Sequence, residues 1–110
     1  MRKWQEMMHN KKKGTEDRNV SVMAGPVTIY SGKWQDVPIG EDLMLEKSME
    51  YFQDPEPCYI HRAGVRQRLL GETGSELTSP DPALKQQGID MIRRFLDCDE
   101  VTEVIFGESG

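Results

Sequence analysis

The apolar residues of this chain change their spacing along its length, and that change limits the folds open to it. Between Val20 and Tyr30 they alternate, with Val20 and Val22 on one face and Val27 and Ile29 on one face, around an Ala24-Gly25-Pro26 break. A period of two belongs to strands. Between Glu41 and Gln53 they recur at three and four: Leu45, Met49 and Phe52, widened by Met44 and Tyr51. A period near 3.6 belongs to a helix with one buried face. Glu41 and Asp42 suit the positive end of that helix, and Asp54-Pro55 stops it, because a residue before proline avoids the α region.

A second helix is bounded as clearly. Asp81-Pro82 supplies a capping acid and a proline at the first helical position. Leu84, Met91, Ile92, Phe95 and Leu96 form its apolar face, with Gly88 on the same side and Arg93 and Arg94 at its negative end. Between the two, Pro57 to His61 reads as a strand that puts Cys58 and Ile60 on one side and Tyr59 and His61 on the other. From Arg62 to Leu70 the pattern turns helical, Gly71 is a natural stop, and Glu72 to Ser79 reads as an acidic loop. Val101 to Phe106 reads as a last strand.

The predicted order is β-β-α-β-α-α-β. Short strands mixed with helices, without a glycine-rich βαβ unit, predict a two-layer α+β domain with about three helices on one face of a small mixed or antiparallel sheet. The expected core includes Leu45, Met49, Phe52, Ile60, Ile92, Phe95 and Val104, with Trp34 folded back over it. At 110 residues one domain is expected. Residues 1–18 read as a flexible N-terminal arm with Trp4, Met7 and Met8 at helical spacing, and residues 19–110 as the domain. An apolar anchor on such an arm suits homo-oligomer formation.

Charge narrows the function classes. The net charge is −5, with residues 1–13 at +4 and residues 71–110 at −6. An acidic body disfavours nucleic-acid binding, which rests on phosphate neutralisation. No apolar run reaches membrane-spanning length, and Trp4-Gln5-Glu6 after the first two basic residues is unlike a leader peptide. Two cysteines forty residues apart do not make a disulfide framework, so a reducing, cytoplasmic setting is expected.

The stretch from Pro57 to Arg68 carries the most reactive chemistry. It holds Cys58, Tyr59, His61, Arg62, Arg66 and Arg68 within twelve residues. Cations at a helix N-terminus are disfavoured unless an anion is present. Tyr59, His61, Arg62 and Arg66 are therefore the expected ligand-binding set, for a phosphate, a carboxylate or an acidic protein surface. The alternative use of the arginines is pairing with the acidic column Asp42, Glu46 and Glu50. Cys58-x-x-His61 is also half of a metal site that Cys98 with Asp97 or Asp99 would complete, or a nucleophile and its base. On a strand the two point to opposite sides, so no metal, cofactor or catalytic residue is expected. The expected function is an interaction or regulatory domain, and the alternative is a small enzyme using His61 as acid–base or Cys58 as nucleophile.

Overall fold

The computed structural model describes residues 18–109 as a three-stranded sheet with three helices, a small α+β domain. Strand β1 spans Arg18–Ala24 and β2 spans Val27–Lys33, followed by a 3₁₀ turn at Trp34–Asp36. Helices α1 (Glu41–Phe52), α2 (Tyr59–Leu77) and α3 (Pro82–Leu96) come next, and β3 (Glu103–Ser109) closes the sheet. The order across the sheet is β2-β1-β3, antiparallel at both seams. The expected arm lies outside the described residues, apart from Arg18, which opens β1.

The hairpin turns on Gly25 and Pro26. Gly25 sits at φ +61°, and proline holds φ near −65°, the pairing that a type II′ turn needs. β1 buries Val20 and Val22 as expected. β2 departs from expectation: Val27 and Ile29 are 58% and 38% exposed, while Tyr30 packs against the core. The register shifts between Val22 and Met23, so that Val22 faces Tyr30 and Met23 faces Thr28. This bulge puts Ile29 out of the alternation.

Trp34 joins the two layers. It is 1% exposed, its ring meets Phe106 of β3 edge-on at 5.3 Å and Phe95 of α3 at 6.3 Å, and its indole N–H donates to Leu70 O of α2 at 3.2 Å. Val20, Val22, Val65, Leu69, Ile92 and Phe95 complete the same core.

The region between Pro57 and Ser79 corrects the sequence expectation twice. Pro57–His61 is not a strand: Cys58 is the N-cap of α2, and the first helical bond runs from Arg62 N–H to Cys58 O at 2.9 Å. Nor does the helix stop at Gly71. Val65, Leu69, Thr73 and Leu77 are all buried at a spacing of four, so one stripe carries the helix through the supposed acidic loop. Burial of that stripe outweighs the roughly 1 kcal/mol cost of each glycine. α2 packs on both α1 and α3. The contact with α3 is close, since a Cβ on Gly88 would lie 2.8 Å from Leu77 Cδ2.

α1 has the expected bounds and a different buried face. Leu43, Met44 and Ser48 are buried, whereas Met49 is 50% exposed and Phe52 41%. Leu45 is half-buried. A serine on the inward face hid the true stripe, because a hydrophobic pattern cannot register a buried hydroxyl. Ile60 is 75% exposed and Val104 half-buried, while Ile92 and Phe95 lie in the core as expected. On α3, Asp81 accepts from Ala83 N–H at 3.0 Å and Leu84 is 40% exposed.

Candidate functional site

The corner where α1 gives way to α2 gathers the most chemistry. It begins with Gln53, which ends α1 in the left-handed region at φ 55°. Its N–H bonds Met49 O at 2.9 Å, and the N–H of Asp54 reaches back to Ser48 O at 3.3 Å. This closing pattern reverses the chain and aims Asp54 toward α2. Pro55 and Pro57 then restrict the short connection, and Pro57 is itself buried.

Asp54 is held from two sides. One carboxylate oxygen accepts Glu56 N–H at 3.1 Å; the other contacts His61 Nδ1 at 2.6 Å. The His61 bond, with the N–H groups of Glu56 and Cys58, holds this carboxyl below the ordinary aspartate range. An ionised carboxylate only accepts, so Nδ1 carries the proton and the lone pair of the neutral ring falls on Nε2. The ring lies flat on Phe52, 4.6 Å between centroids and 4° from parallel. Phe52 in turn packs over Gly64, where a Cβ would come within 3.0 Å of its ring.

Cys58 completes the group. As N-cap and third helical residue, Cys58 and His61 lie three apart on a helix and share a side. The opposed geometry expected of a strand does not hold. One ligating atom each from Asp54, Cys58 and His61 lies within 4.8 Å of the others. Cys98 takes no part in it; its thiol lies 3.8 Å from Glu100 Oε2. Asp54 is the member that sequence spacing misses, since only the left-handed turn at Gln53 brings it back.

The four residues expected to form an anion site have separate engagements. Arg62 pairs with Glu41 at 2.7 Å. Arg66 donates from Nε to Gln35 O at 3.1 Å and from Nη2 to both Gln35 O and Val37 O. His61 faces Asp54, and Tyr59 is 87% exposed. The acidic column is not the partner of Arg66: Glu46 pairs with Arg94 at 2.7 Å and Glu50 with Lys47 at 3.2 Å. Around the corner the surface is apolar. Of eight large hydrophobic residues exposed among the described residues, Met49, Phe52, Tyr59 and Ile60 fall within this one stretch. The first turn of α2 holds no acid, and its N-cap Cys58 makes no side-chain cap bond.

A shallow cleft of about 300 Å³ lies elsewhere, at the start of α1, lined by Gly40, Glu41, Asp42, Leu43, Arg94 and Asp97. Glu41 and Asp42 in its first turn already suit the positive end of that helix, and Arg94 is committed to Glu46. No helix among the described residues is long and apolar enough to cross a membrane. Compared with known protein families, curated proteins and solved structures, the chain finds no match.

Proposed function

We propose that this domain is a protein-binding module whose working face is the α1–α2 corner. The observation that carries this reading is the exposure of Tyr59 and Ile60, 87% and 75%, beside Phe52 and Met49. Contiguous exposed apolar groups on a small domain mark interaction surfaces. The N-terminus of α2, whose first turn holds no acid and whose N-cap makes no side-chain bond, favours a carboxylate there. The partner is an extended or helical segment bearing an acidic residue next to an aromatic or aliphatic one. Arg66 supports the fold behind the face rather than contacting the partner.

Selection of a displayed peptide library against the full chain tests this. Enriched peptides carry an acid beside an apolar residue, bind more weakly as salt rises, and lose binding to a Tyr59→Ser/Ile60→Ser variant of unchanged melting temperature. Equal binding by that variant overturns the reading. Self-association without peptide, lost in the same variant, replaces the foreign partner with a second copy of the chain. The exposed Cys58 beside His61 favours a second reading, thiol chemistry. Cys58→Ser separates the two: peptide binding survives it, and a thiol-dependent reaction does not.

A further inference from the structure

We propose that Asp54, Cys58 and His61 form a binding site for a zinc-class divalent cation, with a fourth position open to water or to a side chain of a partner. The inference rests on the three side chains alone and does not depend on the peptide-binding reading.

Donor chemistry selects the ion. A thiolate, an imidazole and a carboxylate together suit a borderline-soft metal, whereas calcium and magnesium take oxygen. Three protein ligands with one open position is a recurrent zinc arrangement. The spacing Asp54-x₃-Cys58-x₂-His61 is short, and the fold makes it convergent. The connection carries Pro55 and Pro57, the α1 terminus turns Asp54 inward, and α2 begins at Cys58.

Distances agree with this. Bonds of 2.0–2.3 Å in tetrahedral geometry separate ligand atoms by about 3.3–3.8 Å. The three atoms here already lie within 4.8 Å of one another, and Asp54 and His61 are closer, at 2.6 Å. Binding therefore shifts the ring proton from Nδ1 to Nε2, releases the thiol proton and parts the carboxylate from Nδ1 by about 1 Å, within reach of side-chain rotation. Two contacts outside the trio limit the freedom that binding must remove. Phe52 holds the imidazole flat, and Glu56 N–H holds the carboxylate. Cys58 is exposed and His61 half-buried, so an ion reaches the site without opening the core.

A thiolate ligand has a signature that adventitious binding to surface acids lacks. The full chain, stripped with a chelator, is titrated with cobalt(II), and zinc then competes for the site. The expected result is one equivalent per chain, a tetrahedral cobalt spectrum and a thiolate-to-cobalt charge-transfer band that zinc abolishes. Cys58→Ser and His61→Ala remove the band, and Asp54→Ala weakens cobalt binding roughly tenfold or more. Cys98→Ser and the Tyr59→Ser/Ile60→Ser variant leave it unchanged. Cys58 and His61 lie at the surface, so circular dichroism will show those variants folded. Absence of the band in the unaltered chain overturns the proposal. So does a band that persists in Cys58→Ser or vanishes in Cys98→Ser. Because no peptide is involved, loss of peptide binding and loss of metal binding are read separately.

Discussion

Replacing Arg66 with alanine will cost the domain about 2–3 kcal/mol of folding stability. The magnitude follows from what its guanidinium does. It donates to Val37 O at 2.7 Å and to Gln35 O from two nitrogens, clamping the turn that follows Trp34 onto α2. Val37 is fully buried, so its carbonyl is the harder of the two to rehydrate. A charge-assisted bond to such a group is worth about 1.5–3 kcal/mol net. Gln35 is half-buried, and water can take over part of its bond, which adds well under 1 kcal/mol. Arg66→Lys should recover less than half of the loss, because an ammonium cannot bridge two carbonyls as the planar fork does. Arg66→Met, which keeps the apolar stem, should also fall short. Urea denaturation followed by tryptophan fluorescence measures it, since Trp34 begins the same turn. A loss under 1 kcal/mol would refute the clamp. So would coupling of Arg66 to Glu50 in a double-mutant cycle, since that would restore the acidic column as its partner.

Three further outcomes are expected. Phe95→Ala should cost about 3–5 kcal/mol, whereas Phe52→Ala, 41% exposed, should cost roughly a third of that; equal losses by denaturant titration would show that the α1 face is misassigned. Ser48→Ala should stabilise by about 0.5–1 kcal/mol, because the buried hydroxyl has no partner among the described residues and alanine is the better helix former; a loss of melting temperature would contradict this. The Tyr51 phenol is pushed up, first by burial and then by its bond to Glu72 at 2.9 Å, so the folded chain keeps a proton that the unfolded chain releases above about pH 10. Stability therefore falls as pH rises past that point, and Tyr51→Phe should lose less between about pH 9 and 11 in urea titrations, with equal slopes refuting the assignment.

Much of the fold is legible in local chemistry. Gly25-Pro26 marks the hairpin, Asp81-Pro82 starts α3, and Asp54-Pro55 stops α1, each through backbone constraints that act within a few residues. α2 is not legible at its start. Cys58, Tyr59, Ile60 and His61 favour a strand by intrinsic preference, and only a stripe reaching to Leu77 makes them helical. The candidate site inherits that limit. Cys58 and His61 stand out by type, but their convergence depends on the helix. Asp54 joins them through a left-handed residue that nothing about a glutamine at position 53 announces. Arg66 stands out as a free cation only while the carbonyls that occupy it are unseen.

The middle strand has a kinetic consequence. β1 meets β2 across a two-residue turn, yet its partners on β3 lie 80 to 91 positions away in sequence, from Met23 with Glu103 to Arg18 with Ser109. Closing a loop roughly ten times longer than the hairpin costs about 2 kcal/mol more chain entropy. The β1–β3 seam therefore waits for the three helices to shorten the effective span, and β1 is left with an open hydrogen-bonding edge in the interim. Refolding should slow when α2 or α3 is weakened, even though neither contributes a residue to the sheet. The same waiting edge is where a partly folded chain would recruit another copy of itself.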